Sequence, residues 1–181
     1  GKLNYEYIHQ LRRLNGLPGH PDVTTTPCMV TNTGSLGMGI SKAKGLALAN
    51  RLDNKKGRVY VLTGDGELQE GQFWESLSGA VNGKFEEITV IIDHNKIQSD
   101  TWVNDVSDLG DLEAKLLSFG WHVQRCDGNN LSDFSQAIDA AKLVKGTPQI
   151  IIADTIKGKG VSFMEATAMG NEQEFYKYHS G

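Results

Sequence analysis

Residues Arg58-Val59-Tyr60-Val61-Leu62-Thr63, followed by Gly64-Asp65-Gly66, are the most informative part of this chain about its fold. Its first six residues predict a strand, and a glycine-rich turn with a central acid follows directly. A second apolar run, Ile88-Thr89-Val90-Ile91-Ile92-Asp93, leads to Asn95, 30 positions after Asp65. That separation is what a strand, a crossover helix and a second parallel strand require. Asp65 and Asn95 are therefore expected together at the carboxyl edge of one sheet, where open α/β folds bind ligands.

These two residues offer the oxygen ligands that a hard divalent cation prefers. The Asp65 carboxylate, the Asn95 amide oxygen and the backbone carbonyl of Ile97 suit an octahedral Mg²⁺ completed by a diphosphate and water, with Ca²⁺ or Mn²⁺ as other candidates. Gly64 and Gly66 let the backbone approach phosphate oxygens closely. The alternative for the same residues is a helix cap at Asp65 and an ordinary turn at Asn95.

Strand-like and helix-like segments alternate along most of the chain. Strands are predicted at 58–63, 88–93, 121–126 and 148–155, and helices at 36–52, 70–82, 111–118 and 131–144. The apolar character of the strands and their alternation with helices predict an α/β fold whose parallel sheet is covered by helices on both faces.

The two ends of the chain give weaker patterns. Residues 4–14 predict a helix with one buried face, formed by Tyr7, Ile8, Leu11 and Leu14. Residues 15–34 are rich in Gly, Pro and Thr and predict a long functional loop. Residues 158–181 lack apolar periodicity and predict a tail that is mobile or ordered by a partner. With 181 residues, the chain is expected to form one domain, residues 1–181, with a sizeable core.

Composition excludes several classes of function. A net charge of −4 and a pI near 5.7 give no general attraction to nucleic acid or anionic membranes. No apolar run approaches the length of a bilayer crossing. Cys28 and Cys126 are not spaced as a metal site or a disulfide framework. Together with the absence of a secretory leader, this predicts a cytoplasmic location.

Five motifs, in order along the chain, resemble those of the transketolase family. They are Gly19-His20-Pro21, Thr33-Gly34-Ser35-Leu36-Gly37-Met38-Gly39, Gly64-Asp65-Gly66-Glu67-Leu68-Gln69-Glu70-Gly71, Asp93-His94-Asn95-Lys96-Ile97-Gln98 and Lys157-Gly158-Lys159-Gly160-Val161-Ser162-Phe163-Met164-Glu165. A lone Gly-Asp-Gly would be weak support, but five ordered motifs that cover most of the chain are specific. The resemblance implies the diphosphate-binding domain of the thiamine-diphosphate fold, with Mg²⁺ as the accompanying metal.

The resemblance also assigns roles to individual residues. It implies cofactor contacts for Leu36, Gly64, Asp65, Gly66, Glu67, Asn95 and Ile97. Within that set it implies that Leu36 packs against the thiazolium ring and that Asp65, Asn95 and Ile97 bind the metal. Ser99 departs from the family pattern, because transketolases usually place an apolar residue there.

Four histidines receive expectations from the resemblance or from their positions. His20 resembles the family histidine that faces the donor substrate, where an imidazole can donate a hydrogen bond or move a proton near neutral pH. The alternative is a loop histidine bonded to backbone. His179 resembles a histidine that contacts diphosphate or substrate. His94 is expected just outside the metal ligands, and His122 is expected to be packed on its strand.

Glu70 and Glu75 lie five positions apart, so on one helix their side chains face directions about 140° apart. A simple carboxylate dyad is therefore not expected. The resemblance places both near a dimer interface, hydrogen-bonded towards the second active site. The alternative at Glu70 is a solvated acid favoured by the helix dipole.

The function that the resemblance implies is transfer of a two-carbon ketol unit from a ketose or its phosphate to an aldose or its phosphate. In this family the glutamate that activates the cofactor ring lies on a separate pyrimidine-binding domain, for which 181 residues leave no room. The chain thus resembles the N-terminal subunit of a split transketolase, active with a separate C-terminal subunit in a heterotetramer with two copies of each. A fragment of a longer chain is the alternative origin. Deoxyxylulose-phosphate synthase and a non-catalytic nucleotide-binding regulatory domain are the alternative functions, although the Glu-Leu-Gln-Glu-Gly run favours transketolase.

Overall fold

Four parallel strands form the main sheet of the computed structural model, which describes residues 3–26, 29–168 and 176–179. The strands are β1 (Val59–Gly64), β2 (Ile88–His94), β5 (His122–Asp127) and β6 (Gln149–Asp154), in the spatial order β1-β2-β6-β5. Between β2 and β5 in the chain, β3 (Ile97–Gln98) and β4 (Thr101–Trp102) form a short antiparallel hairpin. The α-helices are α1 (Gly39–Leu52), α2 (Gly71–Asn82), α3 (Val103–Ser107), α4 (Leu112–Ser118), α5 (Leu131–Leu143) and α6 (Ser162–Ala168). The predicted parallel α/β architecture is confirmed.

The two central strands, β2 and β6, are buried on both faces, which explains their nearly continuous apolar sequences. Val90, Ile92, Ile150 and Ile152 pack with residues of α1, α2 and α4 in the larger core cluster. Ile151 and Ala153 alternate with them and pack instead with residues of α5. Strand alternation thus divides one run of isoleucines between the two helical layers.

The strands end in register, and this register creates the edge that carries the site. Gly64 is paired with Asp93, and His94 with Asp154. The residues that follow each strand therefore emerge side by side at the carboxyl edge. Helix α1 approaches this sheet closely, since a Cβ on Gly39 would lie 2.5 Å from a methyl carbon of Val61. The high content of small residues in α1 predicts that close approach.

The chain divides into two compact units, Gly1–Leu36 and Gly37–Gly181. In the first unit, the helix predicted for residues 4–14 is wrong. A 3₁₀ helix spans only Tyr5–Gln10 and buries no residue, and Leu14 is 94% exposed. Arg12 and Asn15 adopt positive φ angles of 58° and 61°, which no right-handed helix accommodates. The chain instead turns back, and the Leu17 N–H donates to the Gln10 carbonyl at 3.1 Å.

Other differences concern short or peripheral elements. The β3–β4 hairpin and α3 are too short for a periodic pattern to predict them. Helix α6 lies within the predicted tail 158–181, whose mobility stays a prediction and part of which lies outside the described residues. His122 is exposed rather than packed, because β5 is an edge strand of the sheet.

Candidate metal and cofactor site

Asp65 is a buried carboxylate at the centre of the carboxyl edge, only 2% exposed. One carboxylate oxygen accepts the Gly66 N–H at 2.8 Å, and the other accepts the Lys96 N–H. Burial raises the pKa of Asp65 above its ordinary value, and the two backbone hydrogen bonds only partly oppose the rise. The protein's hydrogen bonds therefore do not fully offset the cost of burying the ionised carboxylate, and a bound cation would stabilise this charged form.

The Asn95 loop is folded by its own side chain. The Asn95 amide oxygen accepts the Ile97 N–H at 3.0 Å, while its amide nitrogen donates to the Asp93 carboxylate at 3.1 Å. The Thr155 hydroxyl donates to the other oxygen of that carboxylate. These bonds turn the loop so that the Lys96 N–H meets Asp65. The predicted metal ligands Asp65, Asn95 and Ile97 are thus brought into one hydrogen-bonded cluster.

The donor set of this cluster fits a hard cation. It combines one carboxylate, one amide oxygen and one backbone carbonyl, each with lone-pair capacity beyond its present hydrogen bonds. Across residues 3–26, 29–168 and 176–179, no group of three or more His, Cys, Asp and Glu side chains gathers in a way that would hold a metal. Asp65 also caps the 3₁₀ helix Gly66–Gln69, so the capping alternative is confirmed, and the metal-ligand role of the same side chain stays a prediction.

Glu67 uses its carboxylate inside the protein. One oxygen accepts the Gly37 N–H at 2.8 Å, and the other accepts the Thr63 hydroxyl at 2.7 Å. Glu67 therefore braces the glycine-rich turn, and a direct cofactor contact of its side chain stays a prediction. Within the same turn, a Cβ on Gly66 would lie 2.6 Å from the Gln98 Cβ, so the hairpin approaches a backbone that tolerates no side chain.

Lys157 is a site residue to which the sequence motifs assign no role. Its Nζ donates to the Ile97 carbonyl at 3.3 Å and lies 3.2 Å from Nδ1 of His179 and 5.2 Å from the centre of the Tyr176 ring. Burial lowers the pKa of Lys157, although Asp65 and Asp93 act in the opposite direction. Lys157 follows β6 by three residues, so the edge rule that predicts Asp65 also marks this position as a candidate.

A second polar cluster lies beside the first at the same edge. Nδ1 of His94 lies 2.8 Å from the Asp154 carboxylate, and the Arg125 guanidinium donates to both oxygens of that carboxylate at 2.6 and 2.8 Å. The hydrogen bonds from Arg125, followed by the one from His94, lower the pKa of Asp154 to about 2. His94 therefore sits next to the candidate metal loop with its side chain engaged elsewhere.

Two predicted site residues, His20 and Leu36, belong to the first unit, and both are exposed there. The loop of that unit brings two of the sequence motifs together. Gly34, at φ +103°, lies so near His20 that a Cβ on it would be 3.0 Å from Cγ of the imidazole. The Thr33 N–H also donates to the Pro21 carbonyl at 3.3 Å. The catalytic role of His20 and the ring contact of Leu36 stay predictions.

The remaining predicted residues lie in the second unit. Glu70 precedes α2 and Glu75 lies within it, and both are exposed, so their interface role stays a prediction. His179 contacts Lys157, which places it near the Ile97 carbonyl. In the described part of the chain, no helix is both long and apolar enough to cross a membrane.

Comparison with known proteins gives the family. The family described as "Transketolase, thiamine diphosphate binding domain" matches residues 2–172. The chain therefore belongs to the transketolase family, and the matching region is its thiamine-diphosphate-binding domain.

Individual relatives agree with this. The chain is 42% identical over 149 residues to the 6-deoxy-6-sulfo-D-fructose transketolase subunit SqwG of Clostridium sp. (strain MSTE9), covering 82% of this chain and 54% of that protein. It is 40% identical to an apulose-4-phosphate transketolase subunit of Actinobacillus succinogenes, with the same coverage. The chain thus spans about half the length of these curated relatives.

A solved structure and a further sequence relative also agree with this. Transketolase from Leishmania mexicana superimposes with a TM-score of 0.77 at 31% identity, covering 84% of this chain and 25% of that one. Human transketolase is 34% identical over 157 residues, which is 86% of this chain and 25% of the human protein. The predicted transketolase family and fold are confirmed.

Proposed function

We propose that this chain is the diphosphate-binding half of a split transketolase, acting together with a separate subunit that carries the pyrimidine-binding half. The observation that carries the proposal is the cluster of Asp65, Asn95 and Ile97, in which a buried carboxylate accepts hydrogen bonds from two backbone N–H groups. The naming of two relatives as transketolase subunits supports the split arrangement.

In this proposal Asp65, Asn95 and the Ile97 carbonyl hold Mg²⁺, with Ca²⁺ or Mn²⁺ as substitutes, and Gly64 and Gly66 lie against the diphosphate. The positive charge of the metal would balance both the diphosphate and the Asp65 carboxylate. Thiamine diphosphate, when bound, supplies a carbon nucleophile and an electron sink. The protein's own contribution at this edge is to hold the charged end of the cofactor in a fixed position.

The histidines and glutamates extend the proposal beyond the metal. His20 and His179 are proposed to donate hydrogen bonds to the donor sugar or to the diphosphate, and Leu36 to pack against the thiazolium ring. Glu70 and Glu75, exposed near the start of α2, are proposed to face the partner subunit. The assembly would be two copies of each chain, and the substrates a ketose and an aldose or their phosphates. The expected cytoplasmic location stays a prediction.

The experiment has two stages. Calorimetry on the purified chain should show uptake of thiamine diphosphate that depends on Mg²⁺ and is abolished by a chelator. The chain alone should transfer no ketol unit, and adding a transketolase subunit with the pyrimidine half should produce transfer between a ketose and an aldose. Metal-independent uptake would contradict the metal assignment. Ketol transfer by rigorously partner-free chain would contradict the split arrangement.

A further inference from the structure

The face of the sheet on which α5 packs is covered over only part of its width. Leu62, Ile91 and Ile151 lie side by side on β1, β2 and β6, because each is paired with the next in the parallel register. Ile151 is fully buried in the cluster that includes α5, Ile91 is partly buried, and Leu62 is 74% exposed. Tyr60, two positions before Leu62 and on the same face, is 45% exposed. The apolar surface of the sheet therefore continues beyond α5 and is uncovered at β1.

The spacing of strands and helices gives the size of the uncovered part. Neighbouring strands lie about 4.8 Å apart and packed helices about 10 Å apart, so one helix covers about two strands. Among the residues that the structure describes, this apolar cluster takes its helix residues from α5 alone and its buried strand residues from β5 and β6. The opposite face is covered by residues of α1, α2 and α4. The uncovered width over β1 and β2 thus corresponds to about one helix lying beside α5.

The two edge strands of the sheet differ in a way that indicates which side of the sheet faces water in the working protein. Strand β5 carries the polar and charged side chains with which natural edge strands discourage further association, namely His122, Gln124, Arg125 and Asp127. Strand β1 reads Val-Tyr-Val-Leu-Thr-Gly and contains neither a charged residue nor a proline. An exposed strand of that composition is prone to aggregation. We therefore expect β1 to be covered in the working protein.

We infer that the surface formed by Tyr60, Leu62 and Ile91, the β1 surface, binds one amphipathic α-helix that belongs to the same subunit and lies outside these 181 residues. The apolar stripe of that helix would pack on Tyr60 and Leu62, while its polar face stays in water. Helix α5 would form one side of the groove. Arg58 bounds the groove at the start of β1, where its Nη2 donates to the Ala141 carbonyl of α5 at 3.4 Å.

Two observations favour the same polypeptide as the source of the helix. The curated relatives that match at 42 and 40% identity are about twice as long as the matched region, so those subunits hold many residues beyond it. The β1 surface is also small, whereas stable interfaces between separate chains bury about 1,200–2,000 Å² in total. A helix on the same polypeptide does not need that area, because its covalent connection gives it a high effective concentration. A second copy of this chain or a separate subunit lacks that advantage.

The test is cysteine labelling of Leu62→Cys in two proteins, the 181-residue chain and the same chain with the residues that flank it in its natural reading frame. A maleimide should modify the variant readily in the 181-residue chain and at least about tenfold more slowly in the longer protein. Leu117→Cys is the matched control, because Leu117 is 50% exposed on α4, which packs on the opposite face of the sheet. Its labelling rate should be the same in both proteins. Peptide mass spectrometry distinguishes the introduced thiols from Cys28 and Cys126.

A second variant measures the contribution of the contact to stability. Leu62→Glu should leave the thermal midpoint of the 181-residue chain unchanged, because the side chain is exposed there. In the longer protein it should lower the midpoint by at least about 4 °C, because a charge would be buried beneath the helix. Equal midpoint changes in the two proteins would contradict the inference.

The labelling experiment also separates the possible occupants of the β1 surface. Slow labelling of Leu62→Cys in the 181-residue chain would overturn the inference, as would equally fast labelling in both proteins or a natural reading frame without further residues. Protection that appears only with a separate pyrimidine-half subunit, or only at rising concentration of the chain itself, would assign the surface to a subunit interface or to a second copy instead. A structure of the longer protein with a strand or loop over Leu62 would contradict the helix.

Discussion

Asp65 and Asp154 are two aspartates at the carboxyl edge of the same sheet, yet their surroundings act on them in opposite directions. Asp65 is 2% exposed, receives two backbone N–H groups and has a raised pKa. The Asp154 side chain is 38% exposed, receives Arg125 and His94, and has a pKa of about 2. Arg125 donates two hydrogen bonds to the Asp154 carboxylate, whereas the two hydrogen bonds to Asp65 come from neutral backbone N–H groups and only partly offset its burial. Of these two aspartates, the buried Asp65, whose pKa is raised, is the candidate metal ligand.

The largest expected effect is on cofactor affinity, which should fall strongly when Asp65 is replaced and hardly at all when Asp154 is replaced. Asp65→Ala should weaken binding of thiamine diphosphate with Mg²⁺ by at least about 10³-fold, more than the 10–100-fold typical of residues outside the ligand shell. Asp154→Ala should change the affinity by less than about threefold, because its charge is used inside the protein. Calorimetry measures both, and thermal unfolding verifies that both variants fold. Comparable losses in the two variants would remove the distinction on which the metal assignment depends.

A second effect separates a carboxylate that braces the turn from one that binds a ligand. Glu67→Ala removes the acceptors for the Gly37 N–H and the Thr63 hydroxyl, so it should lower the free energy of unfolding by about 2 kcal/mol. Urea unfolding of the isolated chain measures this. The exposed Glu75→Ala is the control and should stay within about 0.5 kcal/mol of wild type. A variant Glu67→Ala that is as stable as the control but fails to bind cofactor would identify Glu67 as a direct ligand instead.

The smallest expected effect is the pH dependence of the stability that Asp154 contributes. Because the folded pKa of Asp154 is depressed from 3.8 to about 2, its stabilisation is present above the ordinary value and is lost as pH falls between these two values. Asp154→Asn should therefore lower stability by about 1 kcal/mol at neutral pH, a figure discounted for solvent screening, and by almost nothing near pH 2. Urea titrations at several pH values test this.

The control for the pH effect is Asp139→Asn. Asp139 forms an exposed ion pair with Lys142, one helical turn away on α5. The free energy of unfolding should therefore fall by less than about 0.5 kcal/mol in Asp139→Asn. A loss for Asp154→Asn that did not vary with pH would mean that Asp154 acts through packing rather than through its charge.

Much of the sheet and the centre of the site followed from the sequence. Buried parallel strands require continuous apolar runs, and such runs are visible at β2 and β6. Parallel topology sends every strand's end to the same edge, so Asp65 and Asn95 had to meet wherever the two runs paired. Neither step needed knowledge of a contact between side chains.

The first unit shows why similar reasoning failed nearby. Residues 4–14 have helical spacing of apolar residues, but the backbone reverses at Arg12 and Asn15, whose positive φ angles are not encoded in any periodicity. The spacing of apolar residues reports which side chains could share a face. It does not report whether the rest of the chain offers a surface to cover that face, and none of these side chains is buried.

The parallel α/β fold and the edge at which Asp65 and Asn95 gather could be predicted from the sequence, because local periodicity and strand direction fix these features. The family followed from the five motifs that resemble those of transketolases. The use of each charged side chain depends instead on the packing of the folded chain. It paired Asp154 with Arg125, turned Glu67 inward and brought Lys157 between Ile97 and His179. These outcomes depend on burial and on which groups lie within hydrogen-bond distance, and both are properties of the packed chain that no spacing along the sequence records.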